Sequence, residues 1–137
     1  MARKLANGKI TDDGKRTIAR KARCQLEQWV KDNLPSTMVG KFLTRRFEVK
    51  ASDGSDAIIK RDFYKETSSK HQDDPLYPVK LEYARNAHNL FENAHYVRPE
   101  VSIDHPFECE DGCYRIEFKV RKNSDGNFLH ILRIYKK

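Results

Sequence analysis

The chain has 137 residues, of which 38% are hydrophobic and 34% charged, and its net charge is +7 at pH 7. This length predicts a single domain over residues 1–137 that forms a core without disulfides or metal ions. No apolar run approaches the ~20 residues that cross a bilayer, and no apolar stretch of a secretory signal follows the basic start, so we expect no membrane partner. Three cysteines without framework spacing are typical of free thiols in a reducing compartment, which predicts a cytoplasmic protein.

The excess positive charge is confined to the first part of the chain. Residues 1–50 carry 13 Lys and Arg against 5 Asp and Glu, whereas residues 51–137 carry 14 against 15. A basic segment joined to a nearly neutral body is typical of a protein that meets a polyanion. We expect nucleic acid as the partner, RNA before DNA. An acidic protein partner or an anionic membrane surface would use the same residues.

The first third of the chain predicts an arm, a helix and a hairpin. Residues 1–10 form a basic arm, and an amphipathic helix follows over roughly 13–33, ending before Pro35. Residues 42–49 alternate as a strand, and a turn at Asp53-Gly54 leads to a returning strand from Ala57. We therefore divide the chain into a basic arm and helix (1–34) and an α+β body (40–137).

The remainder predicts helices followed by strands. Residues 62–72 fit a short helix or an ordered loop, and a long helix is expected from Tyr77 to about Ala94. Residues 97–109 are a poorly patterned strand or loop, residues 114–121 alternate clearly, and residues 128–135 are apolar enough for a central strand. The fold class is α+β: an N-terminal helix, a β-hairpin, one or two helices and a three-stranded antiparallel meander, with the helices on one face of the sheet.

Two groups of cations are candidates for binding nucleic acid, because Arg and Lys pair with phosphate oxygens. The first group lies on the arm and the helix: Arg3, Lys4, Lys9, Arg16, Arg20, Arg23 and Lys31. The second lies on the outward face of the strand 114–121 and comprises Arg115 and Lys119. A solvated helix face and a strand with one wet face are the ordinary alternatives for the two groups.

A metal-independent ribonuclease needs a base for the 2′-hydroxyl proton, a cation for the phosphorane and an acid for the leaving oxygen. We predict His71 as general base or acid, with Lys70 and Arg121 stabilising the phosphate. Glu66, His88 or His130 would be the partner of His71. Taken singly, each histidine is more often a packed or surface residue than a catalyst. No spacing matches a zinc motif and no nucleotide-binding loop is present, so we expect neither metal nor cofactor.

From about residue 40 the chain resembles the barnase–EndoU–colicin E5/D–RelE group of nuclease-like domains found in phages and mobile elements. The resemblance rests on the order of elements and on short strings, namely Ile58-Ile59-Lys60, Lys70-His71, Leu90-Phe91-Glu92-Asn93-Ala94 and the strand 114–121. It implies a small metal-independent ribonuclease fold over residues 40–137, in which only Lys70, His71 and Arg121 match functional positions. A catalytically inactive member would look the same.

Two functions therefore stay open. The first is a protein of phage or mobile-element type that engages nucleic acid, with endoribonuclease activity as its sharper form. The alternative is a non-catalytic interaction protein that binds nucleic acid or blocks a host nucleic-acid-binding protein. The sequence does not decide whether the protein is an enzyme.

Overall fold

The computed structural model describes residues 12–97 and 104–137, and in these residues the chain is α+β, with four α-helices and a curled, mixed sheet of seven strands. The helices are α1 (Asp12–Asn33), α2 (Arg61–Ser69), α3 (Tyr77–Arg85) and α4 (Ala87–Leu90), and a 3₁₀ turn covers Phe91–Asn93. The strands are β1 (Ser36–Val39), β2 (Phe42–Lys50), β3 (Asp56–Lys60), β4 (His95–Tyr96), β5 (Asp104–Asp111), β6 (Tyr114–Asn123) and β7 (Gly126–Lys136). The predicted fold class is thus confirmed, while its layout needs correction.

The sheet joins two antiparallel units in the order β1-β2-β3-β7-β6-β5-β4. β3 and β7 run parallel and pair at Ile58 and Phe128, which connects the first hairpin to the C-terminal strands. The expected three-stranded meander is therefore only part of a larger sheet. Local patterns predict hairpins, but they carry no signal for a parallel contact between strands that are far apart in the sequence.

Helix α2 covers an edge of the sheet. Strand β3 pairs with β7 near Phe128 and ends at Lys60, and α2 begins at the next residue. Helix α2 therefore lies beside the part of β7 that β3 does not reach. The backbone N–H of Leu132 donates to the hydroxyl of Thr67 on α2 at 3.4 Å, and both residues are fully buried. A side chain of α2 thereby satisfies an amide that an uncovered strand edge would leave unpaired.

The core lies between the helices and one face of the sheet. On β6 the alternate residues Ile116, Phe118 and Val120 are buried, as the period of two predicts. Phe91 of the 3₁₀ turn packs on Phe118, with ring centroids 5.5 Å apart. Helix α1 buries Leu26 in the same core, so this helix contributes to the stability of the whole domain.

The predicted continuous helix from Tyr77 to about Ala94 is wrong. The chain leaves helical geometry at Asn86, where φ is −104° and ψ is 8°, and α3, α4 and the 3₁₀ turn follow one another as short pieces. Asn bonds readily to local backbone groups and is a poor interior helix former, which explains the interruption. The predicted segment 62–72 is a helix, α2, which ends at Ser69.

Strand β1 was not predicted. It pairs with the start of β2 through a turn at Gly40, whose φ of +61° favours glycine. The side chains of Met38, Phe42 and Leu43 in this hairpin are 62%, 76% and 66% exposed. A strand whose apolar residues face solvent lacks the alternation by which half-buried strands are recognised.

Candidate functional sites

A groove of about 660 Å³ lies between α1, α2 and β2 and is called here the α1–α2 groove. Cationic side chains from all three elements line it: Arg23 and Lys31 of α1, Arg45 of β2, and Arg61 and Lys65 of α2. Glu27 is the one carboxylate among the residues that line it. The groove therefore carries an excess of positive charge in a concave site, where the field of the charges is focused.

The spacing of residues on α2 explains how this helix faces the groove. Arg61, Tyr64, Lys65 and Ser68 all line it. They stand at i, i+3, i+4 and i+7, which places them on one side of an α-helix. The helix thus presents two cations to the groove, with Tyr64 and Ser68 buried between them and the core.

The cations of the groove differ in how they are engaged. Arg45 donates from Nε to the carbonyl of Leu34 at 3.0 Å and from Nη2 to that of Lys31 at 2.6 Å, so it satisfies the last turn of α1. Arg23 forms an ion pair with Glu27 at 3.3 Å. Within residues 12–97 and 104–137, no carboxylate pairs with Lys31, Arg61 or Lys65, and these three remain available to an anion.

A buried hydroxyl also lines the groove. Tyr64 is 3% exposed, and its hydroxyl has no hydrogen-bond partner among the described residues. Its ring packs on Trp29 with centroids 5.9 Å apart, and burial raises the pKa of its phenol. A buried polar atom without a partner is costly, so a donor in this position fits an acceptor supplied by a ligand.

The predicted nucleic-acid-binding residues divide among several places. Arg23 and Lys31 line the α1–α2 groove, whereas Arg16 and Arg20 are exposed on α1 outside its lining. Arg3, Lys4 and Lys9 lie outside the described residues. Arg115 and Lys119 lie on the outer face of the sheet, away from the groove.

The outer face of β6 is not a cationic stripe. Arg115 lies 3.9 Å from Glu108 on β5 and 4.8 Å over the ring of Tyr135, and Glu117 stands between Arg115 and Lys119. The carboxylates of Glu108 and Glu117 stand among the cations of this face, so it offers a phosphate chain less than the groove does. A role for Arg115 and Lys119 in binding stays a prediction.

Three of the predicted catalytic residues come together in a second concavity of about 290 Å³, called here the β6–β7 pocket. Glu66 of α2, Arg121 of β6 and His130 of β7 all line it, together with Lys60 and Asp62. Helix α2 separates this pocket from the α1–α2 groove, because Asp62 and Glu66 lie on the side of the helix away from Arg61 and Lys65.

Local irregularity in β7 positions His130. Val120 pairs with Leu129 and Lys119 pairs with Ile131, so His130 is an extra residue at a β-bulge. Bulges re-aim side chains and occur often beside active sites. Lys70 lies near the pocket through its ion pair with Glu66, at 3.8 Å between Nζ and Oε2.

The other two histidines lie elsewhere, so the six predicted catalytic residues do not form one site. His71 is in the loop between α2 and α3 and lines a third cavity, beside Lys80. His88 stacks on Phe47, with ring centroids 4.3 Å apart and an interplanar angle of 7°, and its Nδ1 is buried without a hydrogen-bond partner among the described residues. Burial lowers the pKa of His88, and Glu92 acts in the opposite direction. His71 and Arg121 thus line different cavities, and a joint catalytic role for the two stays a prediction.

Sequence reasoning missed several residues of both sites. Arg45, Arg61 and Lys65 of the groove and Lys60 and Asp62 of the pocket were not singled out. The signal that could have identified Arg61, Tyr64 and Lys65 is their helical spacing in the segment after β3. No comparable signal marks Arg45, because its position beside α1 depends on the pairing of β2.

Within residues 12–97 and 104–137, no group of three or more His, Cys, Asp or Glu side chains is placed to hold a metal ion. Among the helices of these residues, none is both long and apolar enough to span a bilayer. Comparisons of the chain with family models, curated proteins and solved structures return no match.

Proposed function

We propose that the protein binds nucleic acid in the α1–α2 groove. The observation that carries this proposal is the groove's lining, with five cations against one carboxylate. Nucleic acid is the common cellular partner that presents anions at regular, close spacing, and Lys and Arg contacts to its phosphates supply most of its affinity for proteins.

Individual groups of the groove suit a phosphate backbone. Arg61 can offer a bidentate fork to a phosphate, and Lys31 and Lys65 can offer point charges to its neighbours. The hydroxyl of Tyr64, which lacks a partner among the described residues, could donate to a phosphate oxygen or to a ribose hydroxyl. The groove, rather than the sheet face, is therefore the proposed contact surface.

Binding measured against salt tests the proposal. We expect the wild-type protein to bind fluorescein-labelled single-stranded RNA and DNA with an affinity that falls steeply with salt, in proportion to the phosphates contacted. Separate titrations with RNA and DNA of the same base order establish which polymer is preferred. A shallow salt dependence, or no binding at low salt, contradicts the proposal.

An acidic protein partner is the alternative occupant of the groove, and the same cations would serve it. Titration with each kind of polymer separates the two, because binding to an acidic polypeptide also weakens as salt is added. Tight binding to an acidic polypeptide such as polyglutamate, together with none to nucleic acid, would favour the protein partner.

The β6–β7 pocket supports a second candidate function, RNA cleavage without a metal ion. The observation that favours it is the presence of a carboxylate, a guanidinium and an imidazole in one concavity, from Glu66, Arg121 and His130. The resemblance to nuclease-like domains points in the same direction. His130 and Glu66, rather than His71, are the proposed acid and base.

The proposed reaction is a transfer within the RNA strand. Glu66 accepts the proton of the 2′-hydroxyl, whose oxygen attacks phosphorus, and Arg121 stabilises the charge of the phosphorane. His130 gives a proton to the 5′-oxygen as the P–O bond breaks. The products are a 2′,3′-cyclic phosphate and a 5′-hydroxyl end. DNA lacks the attacking hydroxyl and would not be cleaved.

A further inference from the structure

The third cavity has about 210 Å³ and belongs to neither of the two sites described above. It is formed by the α2–α3 loop, the first part of α3 and residues 131–135 of β7. The residues that line it are His71, Asp74, Leu76, Tyr77, Lys80, Ile131, Leu132, Arg133, Ile134 and Tyr135. We call it the β7-edge cavity.

Lys80 is the unusual residue of this cavity, because a lysine is almost never buried without an ionic partner. Its side chain is 6% exposed. Its Nζ donates to the carbonyl of Lys70 at 2.9 Å and lies 5.4 Å over the ring of Tyr77, and no ion pair joins it to a carboxylate of the described residues. One hydrogen bond leaves two of the three ammonium donors without a protein acceptor.

A second cationic residue, Arg133, is also among those that line the cavity. The Nε of Arg133 is buried and has no hydrogen-bond partner among the described residues. Glu117 stands opposite Arg133 in the β6–β7 register, yet no ion pair joins the two. Burial lowers the pKa of Lys80, Asp74 opposes this effect, and Arg133 adds to it. Two cations around one concavity with a single carboxylate nearby are electrostatically unsatisfied.

The loop at the mouth of the cavity adds an independent observation. His71 has a φ of +59°, the left-handed region that L side chains rarely adopt. The turn is held by Asp74, whose backbone N–H donates to the carbonyl of His71 and whose side chain accepts from the N–H of Leu76. Strained backbone of this kind clusters at ligand sites, and here it places an imidazole beside the two cations.

We propose that the β7-edge cavity binds a phosphate group, held by Lys80 and Arg133 with His71 at its entrance. The cavity is smaller than the ~300 Å³ at which pockets for drug-sized ligands begin, so it suits a small anion better than a whole nucleotide. An anion there would supply acceptors for the free ammonium donors and for the Nε of Arg133. This inference does not depend on the α1–α2 groove.

The phosphate could come from two sources. It could be free in solution, or it could be the terminal phosphate of a nucleic acid that extends from the groove. The second source is considered because the two sites are neighbours: Ser68 lines the groove, Tyr77 lines the cavity, and the Tyr77 hydroxyl donates to the Ser68 carbonyl. The test therefore has one arm for each source.

The first arm titrates inorganic phosphate into the full chain, followed by ³¹P NMR and by calorimetry. Wild type should bind, and Lys80→Met and Arg133→Gln should each bind at least about tenfold more weakly, the ratio expected for one charge-assisted hydrogen bond. Lys122→Gln, which removes an exposed cation of β6 that lines none of the three cavities, is the matched control and should bind phosphate as wild type does. If Lys80→Met does not fold, Arg133→Gln carries the comparison alone.

The second arm compares one oligonucleotide with a 5′-phosphate and with a 5′-hydroxyl. If only the phosphorylated oligonucleotide displaces inorganic phosphate, the source is the end of a strand. If neither oligonucleotide displaces it, the source is free phosphate. The inference is overturned if wild type does not bind phosphate. It is also overturned if Arg133→Gln and Lys80→Met bind phosphate as tightly as wild type does. Because the first arm contains no nucleic acid, failure of the proposed nucleic-acid binding would be seen separately.

Discussion

The hydroxyl of Tyr77 donates a 2.5 Å hydrogen bond to the backbone carbonyl of Ser68, and both residues are almost completely buried. Ser68 lies in the last turn of α2, where backbone carbonyls have no partner within the helix. The bond therefore satisfies an orphan acceptor and fixes the start of α3 against the end of α2. It also lies between the α1–α2 groove and the β7-edge cavity, so both sites share one rigid wall.

Removing this hydroxyl should destabilise the protein. We expect Tyr77→Phe to lower the free energy of unfolding by ~1–3 kcal/mol, because the Ser68 carbonyl would stay buried without its donor. Urea unfolding followed by circular dichroism measures the change. A variant as stable as wild type would show that the Ser68 carbonyl does not need the hydroxyl.

The hydroxyl of Tyr64, unlike that of Tyr77, contributes no hydrogen bond to the stability of the described residues. Its hydroxyl is buried and has no partner among the described residues, so Tyr64→Phe removes an unsatisfied polar atom and keeps the ring that packs on Trp29. We expect the free energy of unfolding to stay constant or to rise by ~1 kcal/mol. The same change should weaken nucleic-acid binding, since the proposed acceptor on the ligand loses its donor. A large loss of stability in the urea series is the result that our account does not allow.

The stability of the protein should depend on pH through His88. Burial lowers the pKa of His88 in the folded protein from the ordinary value of 6.5, so the unfolded chain binds the proton more readily. This contribution to stability is complete above pH 6.5 and is lost as the pH falls below it, until the lower native pKa is reached. His88→Phe keeps a ring against Phe47 and removes the titrating group. As the pH is lowered from about 7.5 to about 5.5, the free energy of unfolding of the variant should therefore rise relative to that of wild type. Urea unfolding at several pH values measures this difference. Parallel curves for the two proteins would mean that His88 titrates alike in both states.

Cleavage of RNA, if the β6–β7 pocket performs it, should depend on the residues that the pocket brings together. We expect Glu66→Gln and His130→Gln each to reduce the rate by about 100-fold or more, the range of general acid–base catalysis. His71→Gln should keep wild-type activity, because His71 lines a different cavity. The assay follows formation of 2′,3′-cyclic phosphate ends from a labelled oligoribonucleotide. Activity lost in His71→Gln and kept in His130→Gln would reverse the assignment.

The secondary structure was predictable where local chemistry decides it. The alternation on β6 is strict, with Ile116, Phe118 and Val120 buried and charged residues between them, and this strand was found nearly at its true limits. The pairing of β3 with β7 was not predictable, since a single parallel contact between Ile58 and Phe128 joins them. The break at Asn86 was missed because the apolar residues on either side of it continue a helical period.

The sites were less predictable than the fold. Charge counting showed that α1 is basic, but which cations meet depends on the packing of α2 against α1 and on the position of Arg45 on β2. Lys80 is the clearest example: as a lysine it is expected in solvent, and only the packing of α3 against β7 buries it. The convergence of Glu66, Arg121 and His130 likewise depends on α2 covering the edge of β7.

The comparison that tests the central claim most directly is the salt dependence of nucleic-acid binding for two matched double variants. Arg61→Gln with Lys65→Gln removes two cations of the α1–α2 groove, and Lys122→Gln with Lys136→Gln removes two exposed cations of β6 and β7. We predict that the groove variant binds single-stranded RNA more weakly and that its log–log salt slope is shallower than that of wild type by ~1.4, the value for two phosphate contacts. The control should keep the wild-type slope. Equal slopes for the two variants would contradict the assignment of the groove as the nucleic-acid interface.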